Sequence, residues 1–245
     1  MRRYGLIGYP LSHSFSKTYF AEKFAKQGIA DCVYENYALA GIDELGTLLQ
    51  QEGLRGLNVT IPYKKQVMPF LQAMTPAVSQ MGACNCIDIR NGVLTGHNTD
   101  VVGFRQSLLP FLKPQHTHAL ILGTGGASAA VEYVLNELQI ACRYVSRSEG
   151  EEAIAYTSLT PDMMRTHLLV INTTPLGMYP NTTECPDIPY ELISPEHHLF
   201  DLIYNPAETL FLAKGRAKGA TVQNGLEMLE LQAEESWHIW NSQPV

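Results

Sequence analysis

The sequence predicts an α/β fold in two parts, the second of which forms a doubly wound parallel sheet. Three observations support this prediction. Between about residues 106 and 220, short and wholly apolar segments alternate with helical patterns, as expected for parallel strands covered on both faces. The first of these segments leads into a glycine-rich turn that opens a helix. The first hundred residues show their own alternation of strand and helix patterns, which predicts a separate α/β domain.

The first domain is predicted to span residues 1–104. Its first five elements alternate between strand and helix: a strand at 4–8, a helix at 17–26, a strand at 33–39, a helix at 42–51 and a strand at 56–60. In the first helix, Tyr19, Phe20 and Phe24 are expected to point inward. Two further strand segments flank Asn91-Gly92, a dipeptide strongly typical of a two-residue hairpin turn.

The second domain is predicted to span residues 105–225. Its elements follow in order: a strand at 119–122, a helix from 128 to about 138, and strands at 141–145, 168–172 and 199–203. The segment between Ser148 and Leu168 is short, so we expect the helix after the second strand to be reduced or irregular. A long amphipathic helix over about 226–245 follows, and we expect it to return to the first domain.

Composition and charge exclude several classes of function. The net charge is −7 and no basic stripe is present, so binding to nucleic acid is not expected. The sequence has no run of about 18 apolar residues, and glycine and proline interrupt its apolar N-terminus, so neither a membrane span nor a signal peptide is expected. The five cysteines include no C-x-x-C pair, which favours reduced thiols and a cytoplasmic protein. The eight histidines form no metal-binding motif, so no metal is expected.

The glycine-rich turn has the spacing of a dinucleotide-binding motif, Gly123-x-Gly125-x-x-Ser128. The first glycine permits a tight turn, the second lets backbone N–H groups approach a pyrophosphate, and a small third residue lets helix and strand pack closely. The turn follows an apolar strand and opens a helix, which is the context that this motif requires. A glycine-rich turn with a purely structural role is the alternative interpretation.

The end of the second strand bears on the choice of cofactor. An NAD-binding protein typically places Asp or Glu about 20 residues after the glycines, where it holds the ribose 2′-hydroxyl. Here the sequence is Ser146-Arg147-Ser148, and a guanidinium between two hydroxyls suits a 2′-phosphate. Glu149 and Glu151 follow closely and oppose an added negative charge. We therefore predict NADP over NAD by a narrow margin, and a solvent-exposed arginine at a strand end is the alternative.

Four polar segments of the first domain are not well explained by packing: residues 12–16, 58–64, 82–85 and 96–100. Each has an ordinary structural explanation. Ser16 is suited to cap the following helix and Asp100 to complement a helix dipole, whereas Asn85 suits a turn and Lys64 the surface. Together, however, these segments supply hydroxyls, carboxamides, an amine and a carboxylate at strand ends. That set of groups suits a small polyhydroxy acid as substrate.

Seven motifs resemble those of the shikimate dehydrogenase family, and they occur in the family's order over nearly the whole chain. They are G-x-P-L-x-H-S-x-S at 8–16, N-V-T-I-P-Y-K at 58–64, G-H-N-T-D at 96–100, G-T-G-G-A-S at 123–128, N-T-T-P-L-G-M at 172–178, D-L-I-Y-N-P at 201–206 and G-L-E-M-L-x-x-Q at 225–232. An ordered series of this kind is far more specific than any single motif. One departure is Lys17, which stands where the family usually has proline.

The resemblance implies a substrate domain, a Rossmann-type nucleotide domain and an active site in the cleft between them. It implies reversible, NADPH-dependent reduction of 3-dehydroshikimate to shikimate, in the pathway to chorismate and the aromatic amino acids. Lys64 and Asp100 then form the catalytic pair. The implied substrate-binding residues are Ser14, Ser16, Asn58, Thr60, Asn85, Tyr204 and Gln232. The implied cofactor-binding residues are Gly123, Thr124, Gly125, Gly126, Ala127, Ser146, Arg147, Ser148, Thr173, Thr174, Ile203 and Gly225.

Two alternatives to a strict shikimate dehydrogenase stay open. A quinate or dual-specificity dehydrogenase would accept an extra hydroxyl near the substrate carboxylate, and the presence of both Ser14 and Ser16 favours shikimate. A non-catalytic NADP-binding regulator would be expected to lack Lys64 or Asp100, and both are present. Whether Lys64 donates the proton or acts mainly through its charge is open as well. A monomer or homodimer with only small-molecule partners is expected.

Overall fold

The computed structural model describes residues 1–11, 15–150 and 153–242 of the 245-residue chain. Contacts divide the chain into two compact units, each with its own six-stranded sheet. The first unit comprises Met1–Thr99 and the chain from Ala233 onward, and the second comprises Asp100–Gln232. The α/β fold class that the sequence predicts is therefore confirmed.

The first unit contains a mixed sheet. Its elements are β1 (Arg2–Gly8), α1 (Phe15–Gln27), β2 (Cys32–Ala38), α2 (Leu45–Leu48), β3 (Leu54–Val59), β4 (Ala73–Met74), α3 (Pro76–Met81), β5 (Cys86–Arg90) and β6 (Val93–His97). The strand order is β2-β1-β3-β5-β6-β4, in which β1 is parallel to β2 and β3, and β5 is antiparallel to β3 and β6. Asn91 and Gly92 both have positive φ, as the predicted two-residue hairpin turn requires.

Both faces of the first sheet are covered. On one face, Ile7, Leu57 and Ile87 belong to a buried cluster that includes Leu45 of α2. The predicted helix at 42–51 is shorter than expected, since Ile42–Glu44 forms a 3-10 turn and α2 has only four residues. Glycine at position 46, with its low helix propensity, is consistent with this shortening.

The opposite face of the first sheet carries an aromatic core. Phe20 of α1 is fully buried and stacks on Tyr34 of β2, with ring centroids 4.5 Å apart. The helix α8 (Leu226–Asn241) contributes Trp240, which stacks on Tyr4 of β1 at 4.8 Å. The last turns of α8 are therefore packed on the sheet of the first unit.

The second unit contains a wholly parallel sheet. Its elements are α4 (Thr99–Leu108, of which Thr99 itself belongs to the first unit), β7 (His118–Leu122), α5 (Ser128–Glu137), β8 (Ala141–Ser146), β9 (Ala153–Ala155), α6 (Pro161–Thr166), β10 (Leu169–Asn172), β11 (His198–Asp201), α7 (Leu210–Ala217) and β12 (Thr221–Gln223). The strand order is β12-β11-β10-β7-β8-β9. The chain thus runs outward from β7 in one direction and then from β10 in the other, which is the doubly wound arrangement predicted.

The connection from β8 to β9 is unusually short. These two strands pair in parallel, with Ser146 opposite Ala155, although parallel strands are usually joined by about a dozen residues or more. Within the described part of the chain no helix lies between them, and the short α6 follows β9 instead. The expected reduction of this helix is confirmed. Among the described residues, no helix has both the length and the apolar character needed to span a bilayer.

Candidate active site

The strand order of the second unit reverses between β7 and β10, and doubly wound sheets bind ligands at the carboxyl ends of their strands at such a reversal. Gly123 follows β7 with a φ of 102°, a left-handed conformation that favours glycine. A Cβ atom on Gly123 would lie 2.8 Å from the methyl carbon of Thr174, which is too close for ordinary contact. The turn can therefore approach the loop after β10 only because this residue is glycine.

The turn leads into α5 as the motif predicts. Ser128, the small third residue of the motif, is the first residue of α5 and is buried. Its hydroxyl donates a hydrogen bond to the carbonyl oxygen of Gly125 at 2.5 Å. The Ser128 side chain therefore tightens the turn that precedes the helix.

A cavity of about 410 Å³ opens at this edge of the sheet. Most of the residues predicted to bind a cofactor line it: Gly123, Thr124, Gly125, Ser146, Arg147, Ser148, Thr173 and Thr174. Of the others, Gly126 and Ala127 lie directly before α5, and Ile203 is buried. A Cβ atom on Gly225 would overlap the carbonyl group of Leu202, so close backbone packing by itself requires glycine there.

The cavity is also lined by Tyr156, which was not predicted from the sequence as a site residue. Tyr156 lines the cavity together with Arg147, and burial raises the pKa of its phenol to about 12 while the positive charge of Arg147 opposes the increase. The Ser146 hydroxyl donates a hydrogen bond to the carbonyl of Ser148. Glu149 is exposed, and Glu151 lies outside the described residues. Tyr156 directly follows β9, a three-residue strand too short to be recognised from its pattern.

The loop after β10 supplies Thr173 to Leu176 to the cavity, and a buried carboxylate holds this loop in place. Asn172 donates to Asp201 at 3.0 Å and accepts from the Thr174 hydroxyl at 2.7 Å. The hydroxyl of Thr209 also donates to Asp201. Burial raises the pKa of Asp201 to about 6, and its hydrogen bonds limit that increase. Pro175 and Leu176 line the cavity as well, and the sequence analysis missed them as cofactor-site residues.

In the first unit, the predicted substrate residues Asn58 and Asn85 are buried and lie together. The side-chain nitrogen of Asn58 (Nδ2) donates a hydrogen bond to the backbone carbonyl oxygen of Asn85, at 3.4 Å. Three hydroxyl-bearing residues that were not predicted to bind substrate complete this group: Tyr34, Thr99 and Ser236. Tyr34 lies on β2 and Ser236 on α8, where a single hydroxyl among other polar residues gives no recognisable signal.

Two serines were predicted at the start of α1. Ser14 lies outside the described residues. Ser16 lies inside the first turn of α1, because the helix begins at Phe15, so Ser16 does not cap a helix that begins at Lys17. The hydroxyl of Ser16 instead forms a hydrogen bond to Tyr34 that lowers the phenol pKa, against the larger increase caused by burial.

Lys64 lies in the turns after β3 and is half-buried. Its backbone carbonyl accepts a hydrogen bond from the Cys84 amide at 2.8 Å, which ties this turn to the segment before β5. Thr60 is half-buried, and its amide donates to the Ile7 carbonyl at 2.9 Å. These backbone bonds hold both side chains at the carboxyl ends of β1 and β3.

The remaining predicted residues belong to the second unit. Asp100 lies in the first turn of α4, where its negative charge complements the helix dipole. Tyr204 follows β11 and is 39% exposed. Gln232 is buried on α8, and its side-chain nitrogen donates to the Leu229 carbonyl at 2.8 Å.

Comparison with known proteins agrees with these features. A sequence profile described as the shikimate dehydrogenase substrate binding domain matches residues 6–87. The shikimate dehydrogenase (NADP(+)) of Moorella thermoacetica is 36% identical over 256 residues, which cover 96% of this chain and 86% of that protein. The chain belongs to the shikimate dehydrogenase family.

Solved structures of similar proteins have the same fold. The shikimate 5-dehydrogenase of Thermus thermophilus, in complex with NADP(H) and shikimate, is 30% identical with a TM-score of 0.86, covering 98% of this chain and 94% of that one. Quinate dehydrogenase from Corynebacterium glutamicum, in complex with NAD, is 28% identical with a TM-score of 0.86, covering 98% and 93%. The fold is therefore shared by relatives that differ in named substrate and in bound cofactor.

Proposed function

We propose that this protein catalyses the reversible, NADPH-dependent reduction of 3-dehydroshikimate to shikimate, a step toward chorismate and the aromatic amino acids. The observation that carries the proposal is the match over 96% of the chain to a relative named shikimate dehydrogenase (NADP(+)). The substrate motifs at 58–64 and 96–100 and the lined cavity at the reversal of the second sheet support it.

NADP fits the residues that line the cavity. The turn at Gly123 brings backbone within reach of a pyrophosphate, and Arg147 with Ser146 and Ser148 suits a 2′-phosphate. When bound, the cofactor supplies or accepts the hydride. The full set of residues proposed to hold it is Gly123, Thr124, Gly125, Gly126, Ala127, Ser146, Arg147, Ser148, Thr173, Thr174, Ile203 and Gly225.

The proposed substrate site uses polar groups on both sides of the ring. Ser14 and Ser16 bind the carboxylate, with Tyr204 near it, and the ring hydroxyls are bound by Asn58, Thr60, Asn85 and Gln232. The burial of Asn58 and Asn85 supports this role, because a buried carboxamide that lacks a hydrogen-bond partner is energetically costly. A substrate hydroxyl can supply such a partner.

Reduction of the ketone requires a proton on the oxygen as the hydride reaches the carbon. Lys64 is the proposed donor, because an ammonium both stabilises the developing alkoxide and can protonate it. In the oxidation of shikimate the same amine accepts the hydroxyl proton. Asp100 is the second member of the proposed catalytic pair, and its carboxylate accepts a hydrogen bond from a neighbouring ring hydroxyl.

We further propose that residues 1–104 form the substrate-binding and catalytic domain and residues 105–225 the NADP-binding domain. The cluster of Trp240 with Tyr4 and Phe20 supports placing the last helix with the first domain. The proposed protein is a monomer or homodimer that acts in the cytoplasm. The five free cysteines are compatible with a reducing compartment.

Activity on quinate is a second candidate function, because a quinate dehydrogenase has the same fold. Initial rates of nicotinamide reduction, measured with shikimate or quinate and with NADP or NAD, test both candidates. We expect the highest catalytic efficiency with shikimate and NADP. Equal or better efficiency with quinate would contradict the proposal and support the second candidate.

A further inference from the structure

A continuous chain of hydrogen bonds joins the buried polar groups of the first unit. The Tyr34 hydroxyl donates to Asn58 Oδ1 at 2.8 Å, and Asn58 Nδ2 donates to Ser236 Oγ at 2.8 Å. The Ser236 and Thr99 hydroxyl oxygens are 3.3 Å apart, and Thr99 is hydrogen-bonded in turn to Asn85. The exposed fraction of each of these five side chains is at most 5%. The chain therefore connects β2, β3 and α8 through the interior of the unit.

Backbone groups fix the direction in which both carboxamides point. The backbone amide of Thr99 donates to the Asn85 side chain at 2.6 Å, so the atom that faces it must be the oxygen. The backbone carbonyl of Asn85 accepts from the Asn58 side chain at 3.4 Å, so the atom that faces it must be the nitrogen. Neither carboxamide can rotate by half a turn without losing one of these bonds.

This arrangement determines what each carboxamide has left to offer. Both hydrogens of Asn58 Nδ2 are used, by Ser236 and by the Asn85 carbonyl, whereas Oδ1 accepts only from Tyr34 among the described residues. An amide oxygen accepts two hydrogen bonds, so Asn58 can still accept one. Asn85 Oδ1 accepts from the Thr99 amide and hydroxyl, while Nδ2 donates to the Thr99 hydroxyl and keeps one hydrogen. Asn58 is thus left as an acceptor and Asn85 as a donor.

We propose that Tyr34, Thr99 and Ser236 are positioning residues that hold Asn58 as an acceptor and Asn85 as a donor for two hydroxyls of the substrate. This inference rests on the proposed function, since it takes shikimate as the ligand. One hydroxyl donates to Asn58 and the other accepts from Asn85, a pairing that matches a polyhydroxylated ring. The Ser16 hydroxyl, through its hydrogen bond to Tyr34, extends the same chain toward the proposed carboxylate site.

Ser236 is the link on which this arrangement depends most. It lies on α8, is fully buried, and bonds to both the Asn58 and the Thr99 side chains. The helix is held beside β5 by the Trp240 indole N–H, which donates to the Ile87 carbonyl at 3.0 Å. Removal of the Ser236 hydroxyl leaves one Asn58 hydrogen without its partner while the fold around it keeps its other contacts.

The test measures the Kd of shikimate and of NADP by isothermal titration calorimetry for the wild type, Ser236→Ala and Tyr34→Phe. Ser107→Ala is the matched control, because Ser107 is also a fully buried helical serine, whose hydroxyl donates to the Phe104 carbonyl at 3.2 Å. Each test variant removes one of the hydrogen bonds that hold the Asn58 carboxamide, so we expect shikimate Kd to rise about three- to tenfold. NADP Kd should not change, and the control should match the wild type. Thermal unfolding of each variant establishes that it is folded, and if one variant does not fold the other carries the test.

The outcomes separate the two proposals. Weaker shikimate binding in the test variants, with NADP binding intact, supports the positioning role. Unchanged shikimate binding, or a parallel loss of NADP binding, overturns it. A wild type that fails to bind shikimate would instead contradict the proposed function, before any variant is considered.

Discussion

Lys64 is the residue on which turnover depends most directly in this account. Lys64→Ala removes the proposed proton donor, so we expect kcat to fall about 10²- to 10⁴-fold, the usual contribution of a positioned acid. Lys65→Ala is the matched control, because Lys65 is the exposed neighbour on the same turn. Steady-state kinetics with shikimate and NADP measure both. A decrease of less than about fivefold in Lys64→Ala would exclude Lys64 as the acid, given the size of that contribution.

Arg147 is the residue that should decide between the two nicotinamide cofactors. It lines the cavity, and its guanidinium can make a charge-assisted contact with a 2′-phosphate that NAD lacks. Arg147→Ala should therefore lower the catalytic efficiency with NADP by about 10- to 150-fold and leave that with NAD little changed. The control is Arg143→Ala, which replaces an exposed arginine on β8, the strand that Arg147 directly follows. Equal losses with both cofactors would mean that Arg147 does not bind the 2′-phosphate.

At the residue scale, the features that could be predicted from the sequence are those that depend on the spacing of neighbouring residues. The turn at Gly123 and the small Ser128 follow from motif spacing, and the structure explains both by close packing. Tyr34 and Ser236 were missed because their partners are distant in sequence: Asn58 lies 24 residues from the first and 178 from the second. Tertiary packing alone brings such groups together, so no local pattern could reveal them.

At the scale of elements, the packing of α8 against β3 depends on one glycine. A Cβ atom on Gly56 of β3 would overlap the indole of Trp240, which donates to the Ile87 carbonyl. Gly56→Ala should therefore displace α8 and lower the free energy of unfolding by about 2–4 kcal/mol, through overpacking and the loss of a buried hydrogen bond. Urea denaturation measures the change. Gly46→Ala is the control, since a Cβ there meets nothing within 4 Å, and equal stability of the two variants would contradict this account.

His198, the first residue of β11, should make the free energy of unfolding depend on pH. His198 is fully buried and stacks on Phe111 at 5.0 Å, and burial lowers its pKa to about 4, with the nearby His116 and Lys113 acting in the same direction. The unfolded chain takes up this proton near pH 6.5, whereas the folded protein resists it down to about pH 4. The contribution of neutral His198 to the free energy of unfolding is therefore fully present above pH 6.5 and is lost as the pH falls toward 4. Asp201, with its pKa raised to about 6, has the opposite effect, since its stabilisation is complete below pH 3.8 and is lost as the pH rises through 6.

Comparison of the wild type with histidine variants isolates the contribution of His198, because Asp201 is present in all of these proteins. Between pH 7 and pH 5, His198 should cost the wild type about 2 kcal/mol of unfolding free energy, and His198→Gln should lack this loss. His238→Gln replaces an exposed histidine on α8 and should keep the wild-type slope. Urea denaturation at a series of pH values gives the slopes. A wild-type slope in His198→Gln would show that His198 does not titrate abnormally.

The elements also show where sequence patterns stop being informative. The hairpin at Asn91-Gly92 was predictable, because both residues must adopt a left-handed conformation that few residues accept. The strand β9 was not, since three residues carry no periodicity and the connection from β8 lacks the helix that usually marks a parallel crossover. Tyr156 was not predicted as a site residue for the same reason, because its position in the cavity follows from the position of β9.

For the whole molecule, the two units have different proposed tasks. The first contains a mixed sheet whose interior holds the proposed substrate carboxamides, and the second a parallel sheet whose strand reversal creates the proposed cofactor cavity. The division into two α/β units was predictable from the strand and helix patterns along the chain. The choice of shikimate as substrate was not, because it rests on the family motifs rather than on any single physical feature.

The most direct test of the account mixes the purified protein with 3-dehydroshikimate and NADPH and follows both reactants to equilibrium. If the proposed function is correct, loss of absorbance at the reduced-nicotinamide band will equal the amount of shikimate formed, one for one, and Lys64→Ala will slow the reaction greatly. NADPH that stays unoxidised, or oxidation without the matching amount of shikimate, would contradict the central claim.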